Sequence, residues 1–212
     1  RGLGDVYKRQ VPWVEQAFNT KKYAFAADYI RLYALYHHGG IYLDSDVEIL
    51  KSLDNFLELP YFVGAETSGT IEAAILGAEK GCDWIKCCLD YYEGRNFIRE
   101  DGSYDIRMLP EILNETILRL KPVINMPSGS NIDDLKKKDL GEAVYVLPKE
   151  YFSPKVFDSR EVFLTPETHA IHHYQNSWFS HKAFAYYRTR TLFIKIFGYK
   201  AVRSLEKMLL KR

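Results

Sequence analysis

The stretch GGIYLDSD, residues 39–46, follows a long apolar segment and places two carboxylates two positions apart. Apolar and polar residues alternate over residues 41–50, which predicts a strand with one apolar face. Side chains at i and i+2 of a strand point the same way, so Asp44 and Asp46 are predicted to project together, about 7 Å apart along the backbone. Two like charges then stand side by side, and their repulsion has to be offset.

A divalent cation would offset this repulsion, which is roughly 2 kcal/mol at an effective dielectric constant near 20. Oxygen ligands that leave positions open for water and phosphate suit Mg²⁺ or Mn²⁺. The spacing of Asp44 and Asp46 therefore suits a metal that holds a nucleoside diphosphate. The same D-x-D spacing also occurs by chance in exposed turns and strand ends, so by itself it leaves both interpretations open.

The segment before this stretch predicts a buried helix. Residues 21–38 contain no Gly or Pro and carry apolar residues around most of the helical wheel, and Gly39 and Gly40 end the pattern. Asp28 and Arg31 are three positions apart, so they share a helix face and can pair. In such an apolar helix the pair is either a structural ion pair or the wall of a site.

The remaining pattern predicts one α/β domain, because helices alternate with short strands and no repeat or low-complexity linker divides the chain. The segment 121–138 is predicted to be rich in loops. Further strands are predicted at residues 61–65, 144–147 and 168–174, and further helices at residues 110–120 and 71–92, the latter either continuous or interrupted at Gly77 and Gly81.

Charge is distributed unevenly along the chain. The formal net charge of +1 argues against nucleic acid as a partner. Residues 188–212, however, carry eight lysines and arginines against Glu206 alone, which predicts a basic amphipathic C-terminal helix. This helix either packs on the domain or contacts an anionic membrane surface. Because no apolar run approaches the roughly 20 residues of a membrane span, the expected location is cytoplasmic, either free or in peripheral contact with the inner face of the membrane.

The longer run ADYIRLYALYHHGGIYLDSD, residues 27–46, resembles the D-x-x-R…GG-I-Y-x-D-x-D signature of glycosyltransferase family 32. These DXD-type sugar transferases are related to the yeast initiating α-1,6-mannosyltransferase and, more remotely, to the glucosylating domains of large clostridial toxins. Residues 74–81 (AILGAEKG) and 168–178 (THAIHHYQNSW) resemble later blocks of bacterial members. The resemblance implies an α/β fold of the GT-A-like, nucleotide-diphospho-sugar transferase type, with the sugar nucleotide at the carboxyl ends of the strands.

The resemblance also implies an activity. The expected protein is a retaining hexosyl- or N-acetylhexosaminyl-transferase of bacterial capsular or surface polysaccharide synthesis, dependent on Mn²⁺ or Mg²⁺. It would move a sugar from a nucleoside-diphosphate sugar, with a UDP-sugar favoured over GDP-mannose, to a glycan or lipid-linked acceptor. A divalent-metal phosphohydrolase and a non-catalytic remnant are the alternatives.

Site roles follow from the same resemblance. Asp46 resembles the direct metal ligand, and Asp44 resembles the carboxylate that touches the ribose or donor sugar and reaches the metal through water. Asp28 and Arg31 resemble the pair that reads donor-sugar hydroxyls, and Tyr42 would line the pocket. Asp44, Asp46 and Arg31 are thus the expected catalytic residues.

The C-terminal block would complete the site. His172 and Asn176 are expected to complete the metal coordination, and Ser177 and Trp178 are expected to meet the leaving diphosphate, with the indole N–H as donor. By residue type alone, His172 fits an ordinary structural histidine and Trp178 fits a core residue, so these interpretations stay open beside the functional ones.

The beginning of the sequence departs from the family pattern. Residues 1–10 are expected to be a non-native leader, residues 11–187 a truncated GT-A-like catalytic domain, and residues 188–212 the basic helix. Family members open with a strand that carries a motif like I-P-K-I-I-H-x-x-W, which nothing upstream of Val11 matches. We therefore expect the fold to lack its N-terminal strands. The missing segment would be roughly 50 residues long, judged by the size of two βα units, and the chain without it is expected to be a poor enzyme.

Overall fold

A computed structural model describes residues 11–66, 69–156, 161–174 and 181–198, together with Ala201, Val202, Ser204 and Met208. Within these residues the chain forms a mixed α/β fold, as predicted. Its α-helices are α1 Pro12–Asn19, α2 Tyr23–His38, α3 Asp83–Asp90, α4 Leu109–Leu120, α5 Ile132–Lys136 and α6 His181–Phe197. Its strands are β1 Gly40–Leu43, β2 Val47–Ile49, β3 Tyr61–Ala65, β4 Ile71–Ala78, β5 Val123–Asn125, β6 Val144–Val146 and β7 Ala170–His172. Short 3₁₀-helices cover Asp54–Phe56 and Lys149–Tyr151.

The main sheet is built around β4, which pairs antiparallel with β1 on one side and with β3 on the other. Strands β5 and β6 pair in parallel. Two backbone hydrogen bonds join this pair to β3: Ala65 N donates to Leu147 O at 2.9 Å, and Leu147 N donates to Val63 O at 2.9 Å. The strand order is therefore β1-β4-β3-β6-β5. Strands β2 and β7 form a separate antiparallel pair.

Apolar layers cover both faces of this sheet. Helices α1 to α4 bury one face through residues that include Trp13, Leu32, Trp84 and Ile112. The other face packs against a second cluster that includes Phe56, Leu135, Tyr151, Phe152 and Ala170. The central strand β4 is consequently buried at all eight of its positions.

The prediction of a helix over residues 71–92 was wrong for residues 71–78 and is confirmed for residues 83–90. The first part of this segment is strand β4, and a helix begins only at Asp83. Alanine, leucine and glutamate favour helices intrinsically, and a strand that is covered on both faces lacks the polar alternation that identifies a half-buried strand. Gly77 fits the strand because a Cβ there would lie 2.0 Å from Cε1 of Phe62.

The prediction of one strand over residues 41–50 was also wrong. The chain leaves the main sheet after Leu43 and enters the β2–β7 pair at Val47. Asp44, Ser45 and Asp46 form the turn between the two strands. The alternating residues therefore do not share one apolar face, and Leu43 and Ile49 are 39% and 42% exposed.

Other predicted elements are confirmed. Five elements end within two residues of their predicted bounds: α2, α4, β3, β6 and β7. Strand β3 matches its predicted bounds, and β7 is two residues shorter at each end than predicted. Gly39 ends α2 at φ +69°, and its N–H donates to Leu35 O at 2.8 Å. The segment 121–138 contains β5 and α5 as well as loops.

Helix α6 begins at His181, seven residues before the predicted basic helix of residues 188–212, and ends at Phe197. Residues 188–197 of the predicted helix are therefore helical. Gly198 follows α6 at φ +80°. No described helix is both long enough and apolar enough to cross a bilayer.

Candidate functional site

The turn Asp44-Ser45-Asp46 lies between the two sheets and is tied to both. Asp44 N donates to Ala74 O of β4 at 2.9 Å, and Val47 N donates to Asp44 O at 3.1 Å, which closes the turn. At the other end, His173 N donates to Asp46 O at 3.0 Å. Backbone hydrogen bonds thus fix both acids beside the end of β7.

These bonds bring three potential ligands together. One ligand atom each from Asp44, Asp46 and His172 lies within 4.8 Å of the others, and His172 Nε2 is 3.6 Å from Asp46 Oδ2. All three residues are partly exposed, so an ion from solution can reach them. Ligands on opposite sides of a Mg²⁺-sized ion are about 4 Å apart, so two carboxylate oxygens and one imidazole nitrogen at this spacing fit one divalent cation.

Arg31 forms the wall of the site next to these acids, and it is 7% exposed. Its Nη2 lies 3.1 Å from Asp28 Oδ1, and its Nη1 donates to Asp44 Oδ2 at 3.4 Å and to Ala73 O at 2.8 Å. The guanidinium also lies over the ring of Tyr42, 4.6 Å from its centroid. The Asp28–Arg31 pair predicted from spacing is therefore formed, and it adjoins the DXD turn.

Tyr42 holds Asp44 from the strand side. Its hydroxyl donates to Asp44 Oδ1 at 2.5 Å. Burial raises the pKa of Tyr42 well above its usual range, although the charge of Arg31 opposes the shift, so the hydroxyl keeps the proton that it donates. Asp44 thus accepts hydrogen bonds from both Arg31 and Tyr42, which fix its orientation.

Burial also changes the ionisation of the Asp28–Arg31 pair. It raises the pKa of Asp28 to about 7, with Asp44 adding to the rise and Arg31 opposing it. For Arg31, burial disfavours the charge, but the neighbouring carboxylates outweigh this and raise the pKa, so Arg31 remains a cation. The Asp28 side chain is 15% exposed.

A buried carboxylate behind His172 was missed by sequence reasoning. Glu72 lies on β4, and its Oε2 is 3.2 Å from His172 Nδ1. Burial disfavours its charge, but hydrogen bonds from His172, Ser153 and the backbone of Ala74 outweigh this and lower the pKa of Glu72. For His172, burial also opposes the charge, yet Glu72 and Asp46 raise the pKa. The signal in the sequence was one acid inside the apolar run of residues 71–78.

His173 makes a different set of contacts. Its Nε2 is 2.8 Å from Glu48 Oε2, and its Nδ1 is 3.3 Å from Lys155 Nζ. This exposed histidine–glutamate pair adjoins the site on β2 and offers a matched comparison for the buried pair of His172 and Glu72.

The structure brings together six of the predicted site residues: Asp28, Arg31, Tyr42, Asp44, Asp46 and His172. Asn176, Ser177 and Trp178 lie outside the described residues. The individual roles assigned to all nine remain predictions.

Comparison with protein families supports a sugar-binding interpretation of the first part of the chain. Residues 4–63 match the family described as a glycosyltransferase sugar-binding region containing a DXD motif. This range includes the Asp28–Arg31 pair, Tyr42 and the DXD turn. It covers less than a third of the chain.

Named relatives match the chain over a similar length. The chain is 37% identical over 78 residues to glucan organizing enzyme 1 of Cryptococcus neoformans and 35% identical over 71 residues to inositol phosphoceramide mannosyltransferase 3 of Schizosaccharomyces pombe. It is 32% identical over 72 residues to a mannosyl phosphorylinositol ceramide synthase of Saccharomyces cerevisiae. These matches cover 37%, 33% and 34% of this chain, and the chain spans about a fifth of the length of each relative (21%, 20% and 19%).

One solved structure, described as PaToxG Glycosyltransferase, is similar over 55% of this chain and 40% of its own, with 21% sequence identity and a TM-score of 0.38. A TM-score this low adds nothing to the strand order described above. The sequence matches thus support a glycosyltransferase-type DXD region at residues that the structure gathers into one site.

Proposed function

We propose that the chain carries the donor site of a metal-dependent, retaining glycosyltransferase, which moves a sugar from a nucleoside-diphosphate sugar to a glycan or lipid-linked acceptor. The observation that carries this proposal is the convergence of Asp44, Asp46 and His172 beside the buried Asp28–Arg31 pair. The family match at residues 4–63 supports the same function, because it includes both acids and the pair.

The metal would be Mn²⁺ or Mg²⁺, held by Asp46 and His172, with Asp44 binding directly or through water. When bound, such an ion neutralises negative charge that develops on a leaving diphosphate. Arg31 and Tyr42 keep Asp44 turned toward this position, since both donate to its carboxylate. The site thus supplies oriented charges before the substrate arrives.

The sugar would be read by Asp28 and Arg31. Asp28 is partly exposed and its pKa is raised to about 7, so around neutral pH its carboxyl group can either accept or donate a hydrogen bond to a sugar hydroxyl. Arg31 already bonds Asp28, Asp44 and Ala73 O, so it holds Asp28 in place.

For the reaction we propose a front-face displacement. The bond from the anomeric carbon to the phosphate oxygen breaks, the acceptor oxygen bonds to that carbon from the same face, and the acceptor proton passes to the leaving phosphate. Two site carboxylates already have partners: Asp44 accepts from Arg31 and Tyr42, and Glu72 is buried under His172. This favours the leaving phosphate as the proton acceptor.

Two donor classes are proposed. The resemblance to family 32 favours a UDP-linked hexose or N-acetylhexosamine for surface polysaccharide synthesis. The names of two fungal relatives contain mannosyl or mannosyltransferase together with ceramide, which favours a mannosyl donor and a lipid-linked acceptor. Titration with uridine and guanosine diphosphates distinguishes the two classes, because each base belongs to one of them.

For the C-terminal segment we propose contact with the inner face of an anionic membrane. Helix α6 exposes Leu192, Phe193, Ile196 and Phe197, and the surrounding residues 188–212 are strongly basic. Exposed apolar residues among basic ones are typical of interfacial helices. In a sedimentation assay with phosphatidylserine vesicles, replacing Phe193 and Phe197 by glutamate should abolish binding; binding that is unchanged would refute the contact.

The main test is calorimetric titration of the chain with uridine and guanosine diphosphates, with and without Mn²⁺, in the parent and in Asp46→Ala. We expect Mn²⁺-dependent binding of one nucleotide in the parent and its loss in the variant. Asp133→Ala, which removes an exposed acid far along the chain, serves as the control and should bind like the parent. Binding that does not depend on Mn²⁺ or on Asp46 would refute the proposed site.

A further inference from the structure

Glu72 is an acid near the start of β4, a strand that is buried along its whole length. It is 3% exposed, and every other residue of β4 is buried as well. A carboxylate taken out of water is costly unless hydrogen bonds replace its hydration. The groups around Glu72 therefore indicate why an acid is kept there.

Within the part of the chain that the structure describes, four donors surround this carboxylate. Its Oε1 accepts from Ala74 N at 3.0 Å. Its Oε2 accepts from Ser153 Oγ at 2.5 Å and from Tyr174 Oη at 3.4 Å, and it faces His172 Nδ1 at 3.2 Å. An ionised carboxylate only accepts hydrogen bonds, so the fourth contact is satisfied when His172 Nδ1 carries a proton.

A proton on Nδ1 determines what the other side of the ring can do. In the neutral ring it leaves the lone pair on Nε2, which faces Asp46 Oδ2 at 3.6 Å. This distance is too long for a good hydrogen bond, so Nε2 is close to the acids without being bonded to Asp46. The lone pair is thus directed toward the space that Asp44, Asp46 and His172 share.

The ring is also held in place by its surroundings. His172 N donates to Phe152 O at 3.1 Å, and residue 172 pairs with Val47 across the β2–β7 ladder. The ring of Tyr174 lies against it, with the centroids 4.1 Å apart. Among the described residues, Glu72 is the charged group that contacts Nδ1, on the edge of the ring away from Asp44 and Asp46.

We infer that Glu72 is a positioning residue: it holds His172 in the Nδ1-protonated form and directs Nε2 toward Asp44 and Asp46. The consequence for metal binding rests on the proposed function, whereas the tautomer itself does not. In metal sites, a carboxylate that accepts from the distal nitrogen of a ligating histidine fixes the ring and makes the ligand more basic, and its loss typically costs 10- to 100-fold in metal affinity.

The tautomer can be measured without any metal. Long-range ¹H–¹⁵N correlation spectra of the histidine side chains, recorded at a pH alkaline enough for neutral rings, identify which nitrogen carries the proton. We expect His172 to be protonated on Nδ1 in the parent chain, with His172→Ala used to assign its signals. Protonation on Nε2 in the folded parent overturns the inference, and no variant of Glu72 has to fold for this result.

Metal affinity provides the second test, by calorimetric titration with Mn²⁺ alone. As a single change, Glu72→Gln should weaken Mn²⁺ binding at least 10-fold relative to the parent. When it is added to His172→Ala, the Mn²⁺ affinity should stay that of His172→Ala alone. Glu48→Gln, the matched change beside His173, should leave the affinity unchanged. Equal losses from Glu72→Gln in both backgrounds would show that Glu72 acts on the fold in general, and would overturn the inference.

The two proposals fail in different ways. A parent chain that binds Mn²⁺ but no nucleoside diphosphate refutes the donor site and leaves the role of Glu72 intact. A parent chain that binds no Mn²⁺ also refutes the proposed function, and the tautomer of His172 then decides the inference by itself.

Discussion

Arg31 is the residue that connects helix α2 to the DXD turn. A planar guanidinium can bond Asp28, Asp44 and Ala73 O at once and still lie over Tyr42. A lysine ammonium is compact and cannot reproduce this fork of donors. The geometry of Arg31, beyond its charge, is what the site uses.

The variant Arg31→Lys should therefore weaken binding of the nucleotide sugar by about 10- to 100-fold, because hydrogen bonds to charged groups contribute about 1.5–3 kcal/mol each. Calorimetric titration with the preferred nucleotide sugar measures the effect. Arg99→Lys is the matched control, since Arg99 pairs with Asp105 at 3.1 Å on the surface. Similar affinities for Arg31→Lys and the parent would contradict the role given to the fork.

At this scale, local spacing allowed part of the site to be predicted. Asp28 and Arg31 were recognised as a pair from their separation of three, and Asp44 and Asp46 from their separation of two, although the acids stand on a turn and not on a strand. The partners of Glu72 could not be predicted, because Ser153 and His172 are 81 and 100 positions away from it. Nothing in a local pattern indicates which distant groups will surround a buried acid.

Strand β4 is the element on which the fold depends, since it pairs on both edges and is covered on both faces. Its Gly77 leaves room for the ring of Phe62: an added Cβ would lie 2.0 Å from the ring. That ring also packs against Phe56 and Phe152 and so has little room to move.

Gly77→Ala should accordingly lower the free energy of unfolding by about 2–3 kcal/mol, the upper range for overpacking a core. Urea denaturation gives the value, provided that the slope of the transition is unchanged. Gly141→Ala, where the nearest atom is an aspartate oxygen at 3.3 Å, is the control and should have a much smaller effect.

A second-site change tests the cause of this loss. Phe62→Leu removes part of the ring that the new methyl group meets, so the double variant should lose less stability than the two single variants together. Additive losses would mean that the contact with Phe62 is not the origin of the effect.

Helices α2 and α4 were predicted well, whereas strand β4 was not. Helices α2 and α4 show the apolar periodicity and the glycine or proline at their ends that define a helix. Strand β4 has no polar face, so its sequence fits a helix equally well. The break between β1 and β2 was missed because alternation continues across a turn when the chain passes from one sheet to another.

For the molecule as a whole, the candidate site connects two sheets. Asp44 follows a strand of the main sheet, whereas His172 belongs to the β2–β7 pair. An ion that binds all three ligands would therefore tie the smaller pair to the main sheet. The stability of that pair should depend on the ion.

Mn²⁺ at about 100 times its dissociation constant should stabilise the chain by about 2.7 kcal/mol. Hydrogen exchange measured by mass spectrometry should show the increase in protection at the DXD turn, β2 and β7. The response should vanish in Asp46→Ala and persist in His173→Ala, which removes only the exposed neighbour. Increased protection confined to other strands would contradict the location of the site.

The distance along the chain between the DXD turn and His172 also has a kinetic meaning. The acids lie in the first quarter of the sequence, while their histidine partner lies in the last. Contacts between such distant segments form late, because a long loop has to close before they contribute any free energy. During synthesis from the N-terminus, the two acids emerge from the ribosome well before His172 does. A nascent chain therefore lacks the histidine of the proposed metal site until the 126 residues that follow Asp46, the last of which is His172, have been synthesised.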